Sequence, residues 1–134
     1  MVYRRGLQLV LGLALVVGLL AGCQTAQGPS DEEAIRGLIG QFVKAGNEGE
    51  VEAAMAFFSD DFDMDGLDKE GVQFMLEDGV AAGVEFDDSE AEVKVAPDGK
   101  TATVTGVMVD YTPYTTKLEK RGGKWLIVSS EEEY

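Results

Sequence analysis

Three apolar patterns succeed one another along the chain, and each predicts a different kind of structure. From Leu7 to Leu20 the apolar positions are almost continuous, broken only by small or polar residues such as Gly12 and Gly18. From Ile35 they fall three and four apart: Ile35, Leu38, Ile39, Phe42 and Val43 share one face, which predicts an amphipathic helix. Ser30 with Glu33 forms a capping box after Pro29 and sets the start, and Gly46-Asn47 sets the predicted stop. A shorter helix is predicted from Glu50 to Phe58, with Val51, Ala54, Met55 and Phe58 inward. Ser59 to Gly66 then reads as a loop. Asp68 caps a third helix from Lys69 to Ala82, with Val72, Met75, Leu76 and Val80 inward and Gly83 closing it.

After Val84 the period drops to two. Ala91, Val93 and Val95 alternate with Glu90, Glu92 and Lys94, so one face is buried and the other wet. Pro97-Asp98-Gly99 predicts a hairpin turn. A long strand follows from Thr101 to Tyr111 with Gly106 as its bend, then a third from Tyr114 to Arg121. Gly122-Gly123 turns the chain into a fourth strand, Lys124 to Ser129, and the tail from Glu131 to Tyr134 is expected to fray. Helices followed by a meander give an α+β layout: three N-terminal helices packed on a curved four-stranded antiparallel sheet, which must curl to bury both apolar faces.

Several stretches of this layout carry a resemblance. They are the amphipathic first helix, the short second helix running into Phe57-Phe58-Ser59-Asp60-Asp61-Phe62, the turn from Val95 into Thr101-Ala102-Thr103-Val104-Thr105-Gly106, and the closing Gly123-Lys124-Trp125-Leu126-Ile127. Residues 31 to 130 resemble the nuclear transport factor 2-like superfamily, which includes ketosteroid isomerase and polyketide cyclases. The resemblance implies a cone with an apolar pocket between sheet and helices, and often a homodimer through the outer sheet face. Its enzymes hold an acid-base Asp, Tyr or His in the pocket, and the isomerases place a Tyr on the first helix. Here that helix offers Phe42 and no Tyr, and the chain has no His. Asp110, Tyr111 and Tyr114 are the remaining candidates for an acid and donors at a pocket mouth, with a surface turn as the plainer alternative. The small residues Ala81, Ala82, Gly83 and Gly106 are expected to leave room for the cavity.

The leader changes the picture of where this domain works. Arg4 and Arg5 precede the apolar run, whose fourteen residues make a helix of roughly 21 Å, short of a hydrocarbon core of about 30 Å. Its end, Leu20-Ala21-Gly22-Cys23, resembles the lipobox of bacterial lipoproteins. That resemblance implies cleavage between Gly22 and Cys23 and acylation of Cys23, with at least two chains for a stable anchor in the bilayer. A plain secretory signal or an uncleaved anchor are the alternatives. The expected organisation is a signal peptide at 1–22, a lipidated tether at 23–30 and the folded domain at 31–134. Gln24 is not the Asp that favours inner-membrane retention in Gram-negative lipoproteins, so the outer membrane is the favoured location if the cell has one.

Charge and composition then remove function classes. Without Arg4 and Arg5 the chain keeps nine Lys and Arg against 25 Asp and Glu, a net charge of about -16, so nucleic acid is excluded as a partner. A single Cys rules out an internal disulfide, and the absence of His removes the usual general base and transition-metal ligand. No cofactor is expected. Asp61, Asp63, Asp65 and Gly66 match the first half of a calcium loop, but the twelfth position, which needs a bidentate Glu, is Val72, so no metal is expected there. The expected function is an envelope-anchored, non-catalytic domain that binds a small ligand or an envelope protein. A small cyclase- or isomerase-type enzyme and a structural module of the envelope are the competitors. The structural module requires an exposed apolar patch on the sheet and no internal cavity.

Overall fold

The computed structural model describes residues 30–133; Gly22, Cys23 and the expected leader lie outside the described residues. Helix α1 (Asp31–Glu48) begins where the capping box predicts: the Ser30 hydroxyl accepts from the Glu33 amide at 3.2 Å, and Asp31, Glu32 and Glu33 sit at the positive end of the helix dipole. It does not stop at Gly46-Asn47. Gly46 lies inside the helix and is a packing glycine rather than a stop, since a Cβ there would be 2.7 Å from the Phe86 ring, and Asn47 bonds the backbone N–H and C=O of Phe86 at 2.8 and 2.9 Å. The helix ends at Gly49, whose φ of 76° is left-handed. Helices α2 (Val51–Met55) and α3 (Lys69–Ala81) follow, the latter capped by Asp68, which accepts from the Gly71 amide at 2.9 Å.

The sheet has seven strands rather than the four expected. They are β1 (Phe58–Met64), β2 (Leu67–Asp68), β3 (Phe86–Asp87), β4 (Glu92–Val95), β5 (Thr101–Val109), β6 (Thr112–Arg121) and β7 (Lys124–Glu132), in the order β2-β1-β7-β6-β5-β3 with β4 also on β5. The predicted meander is β4 to β7. The predicted loop at Ser59 to Gly66 is largely β1, which runs parallel to β7 with Phe58 opposite Ile127 and Asp63 opposite Ser129. Its carboxylates hide an alternation in which Phe62 and Met64 face inward and Asp61 and Asp63 outward. The tail from Glu131 to Glu133 is ordered as well. Where Gly106 bulges out of the β5–β6 ladder, its amide donates to the Glu133 carboxylate at 3.1 Å, and the Thr115 hydroxyl donates to the same oxygen at 2.9 Å.

The core lies between α1 and the inner sheet face, where Ile35, Val104, Leu118 and Ile127 are at most 2% exposed. The two ends of the domain differ. At one end α1 starts beside the Gly122-Gly123 hairpin: the Trp125 indole donates to Asp31 at 3.2 Å and Lys120 pairs with the same carboxylate at 2.9 Å. The other end is the β5–β6 turn at Asp110-Tyr111, where both residues have positive φ, 50° and 68°. Along β5 the two ends are roughly 26 Å apart, at about 3.3 Å per residue.

Candidate functional site

A cavity of about 350 Å³ opens at the Asp110-Tyr111 end. Its inner wall is aromatic: Phe42 meets Phe58 and Phe86 edge-on, with ring centroids 5.7 and 5.8 Å apart, and Phe58 meets Phe62 at 4.9 Å. The sheet adds Val107, Val109 and Ile127, and α3 adds Val72, Met75, Leu76 and Gly79. This space exists because α3 packs on α2, β1 and β2 rather than across the meander. Of its four predicted inward positions only Val72 is buried, Leu76 and Val80 are half-buried, and Met75 is 49% exposed. The expected cavity is therefore present, but Ala81, Ala82, Gly83 and Gly106 do not line it. Gly79 does, and Gly106 serves the bulge instead, where a Cβ would meet the Glu90 carbonyl oxygen at 2.5 Å.

Two bulges decide which polar groups enter the cavity. Along β5 the inward residues are Ala102 and Val104, and the extra residue at Gly106 shifts the alternation to Val107 and Val109. Along β7 they are Trp125 and Ile127, and an extra residue at Val128 brings Ser130 to the cavity in place of Ser129. The unbroken alternation of β6 supplies Thr112, Tyr114 and Thr116. Thr116 and Ser130 face each other with their hydroxyl oxygens 3.3 Å apart. Tyr114 is half-buried and its hydroxyl donates to Glu132 at 3.2 Å. Burial, and after it the Glu132 carboxylate, push the Tyr114 phenol above its ordinary pKa, so it stays a neutral donor.

Of the three residues singled out in the sequence, Asp110 and Tyr114 line one cavity. Tyr111 does not: it is 78% exposed, and its hydroxyl reaches Glu85 at 3.4 Å on the outside. Asp110 stands at the solvent-exposed rim. The half calcium loop does not converge either. Asp61 holds Arg121 through two bonds of 2.8 and 3.1 Å, Asp63 accepts from the Gly66 amide at 3.1 Å, and Asp65 sits beyond them in the β1–β2 turn. The Arg121 guanidinium holds the Asp61 carboxyl at a pKa of about 2. Among the described residues no group of three His, Cys, Asp or Glu is placed to hold a metal.

Sequence reasoning missed Phe62, Phe86, Thr116, Ser130 and Glu132. For Thr116 a signal was present, since Thr112, Tyr114, Thr116 and Leu118 alternate strictly, whereas the bulge before Ser130 leaves no mark in the sequence. Among the described residues the exposed large apolar side chains are Phe74, Met75 and Tyr111, none of them on the outer sheet face. That face carries Thr101, Thr103, Thr105, Lys117 and Glu119.

No family model and no curated protein matches the sequence. Solved structures do match in shape. A protein of unknown function from Pseudomonas putida, described as NTF2-like, aligns over 76% of this chain and 84% of its own with 16% identity and a TM-score of 0.62. A candidate scytalone dehydratase from Novosphingobium aromaticivorans aligns over 75% and 81% with 15% identity and a TM-score of 0.60. A candidate polyketide cyclase from Xanthomonas campestris aligns over 78% and 93% with 15% identity and a TM-score of 0.54. At these identities the likeness establishes the fold alone: the described residues form an NTF2-like α+β domain with a curved sheet.

Proposed function

We propose that this domain binds a small, largely apolar molecule without transforming it, and that it does so as an exported lipoprotein held to a membrane through acylated Cys23. The observation that supports binding is the cavity itself, with apolar walls from α1, α3, β1, β5 and β7 and a few hydroxyls on one side. The tether fits this role. It enters α1 at Ser30, beside Asp31, Lys120 and Trp125, roughly 26 Å from the mouth. The mouth is thus at the end of the domain opposite the tether.

Gly79→Leu tests the binding reading. Gly79 lines the cavity inside α3, and a Cβ there meets Val84 at an ordinary 3.5 Å. Leucine favours the helix by about 1 kcal/mol over glycine and fills the site. The variant is expected to fold at least as stably as the parent and to lose, by tenfold or more, the thermal stabilisation that decanol gives the parent. Equal stabilisation of both proteins would sink the reading. For the anchor, Cys23→Ala is expected to move the protein from the membrane to the soluble exported fraction of its host, and the intact mass of the parent to show an acylated Cys23.

A second reading, a small enzyme, draws on one observation: Asp110 and Tyr114 share the cavity. Its chemistry calls for a desolvated carboxylate beside a free donor. Asp110 is exposed and the Tyr114 hydroxyl already donates to Glu132, which is why binding is the preferred reading.

A further inference from the structure

Resting on the binding reading, we propose that the cavity selects molecules with an apolar body and a cationic, amine-type head, the head lying at the mouth. The site is a cavity whose wall is apolar and whose rim carries charge of one sign. Asp110 lies in the cavity lining. The adjoining depression shares Met64, Met75 and Tyr114 with the cavity and adds Asp65, Glu131 and Glu132. On the other flank, a depression that shares Val84 and Phe86 adds Glu48, Glu85 and Asp87. Among the described residues no Lys or Arg lines any of the three.

Among the described residues the five carboxylates that form salt bridges, Glu32, Asp60, Asp31, Asp61 and Glu119, all lie away from the mouth, and none of the carboxylates around it is paired with a Lys or Arg. Low-dielectric walls focus the rim's field toward the opening, so a cation is drawn in and a carboxylate or phosphate head is repelled. Within the cavity, Thr116, 7% exposed, shares one hydrogen bond with Ser130. Two hydroxyls in one mutual bond keep one O–H for an acceptor, an ether or carbonyl oxygen on the bound body. At about 30 Å³ per water-sized group, 350 Å³ holds about a dozen non-hydrogen atoms. That is the size of a ten-carbon chain with its head.

Three probes share that body and differ only in the head: decylamine, decanol and decanoate. Titrated calorimetrically at low salt into the domain, decylamine is expected to bind about tenfold more tightly than decanol, and decanoate more weakly than decanol. In the double variant Asp110→Asn, Glu132→Gln the preference for the amine over the alcohol should fall to about threefold or less. Both changes keep the shape: asparagine tolerates the left-handed backbone at Asp110, and glutamine still accepts from Tyr114. Decanol binding as tightly as decylamine in the parent, or an undiminished amine preference in the double variant, overturns the cationic-head inference and leaves the binding role standing. Failure of all three probes to bind overturns both.

Discussion

The two ends of the domain are built from the same long strands and differ in what closes them. At the tight end, Ile35, Leu118 and Trp125 pack the start of α1 onto β6 and β7, and Asp31 joins the Trp125 indole to Lys120, whose ammonium lies 5.9 Å from the indole centre. At the open end α3 joins α1 in covering the sheet, stands off the meander, and brings a glycine and a half-exposed methionine beside Leu76. Packing is therefore concentrated away from the site, and the site keeps its volume because α3 is anchored to β1, β2 and α2 instead.

The sharpest way to break this comparison is a pair of leucines. Leu118, 1% exposed at the tight end, is expected to cost about 2–5 kcal/mol on truncation to Ala, since its neighbours cannot relax into the space. Leu76 is half-buried and already borders a cavity, so Leu76→Ala should cost less than about 1.5 kcal/mol while enlarging the site. Urea denaturation of both variants measures the difference, and equal costs would show that α3 is part of the core after all.

A smaller effect sharpens the comparison through acid. Asp61 has its pKa lowered to about 2 by Arg121, against about 3.9 in an unfolded chain, so its contribution is present above about pH 4 and is lost as pH falls toward 2. Lys120, and then Trp125, lower the pKa of Asp31 in the same direction. Asp61→Asn should flatten that part of the stability-pH curve. The loss is modest, because the pair is open to solvent and screened. A curve unchanged by the substitution would remove the Asp61–Arg121 pair from the account.

What could be read in the sequence follows the same division. The period of α1, the Ser30 and Asp68 caps and the meander came from local pattern, because local pattern caused them, whereas the cavity was expected from the resemblance and its small residues were misplaced: Gly79 lines it, and Ala81, Ala82, Gly83 and Gly106 do not. The parallel pairing of β1 with β7 did not, since it joins residues about 70 positions apart and its outward carboxylates resemble a loop. The tail was misjudged because Glu133 is fixed by a bulge at Gly106, a long-range contact. At the site, Asp110 and Tyr114 were legible as turn-end polar residues. Tyr111 was not separable from them, because the two-residue turn that sends it outward depends on where β5 ends.

The most direct test of the central claim uses the methionines. Met64 and Met75 line the cavity, Met55 is buried but outside its lining, and Met108 lies on the opposite side of β5 from the inward Val107 and Val109. In a carbon-13 methyl-methionine spectrum titrated with decanol, Met64 and Met75 are expected to shift together and saturate while Met55 and Met108 hold still. Shifts at Met108 alone, or at none of the four, would contradict a ligand-binding cavity at the open end.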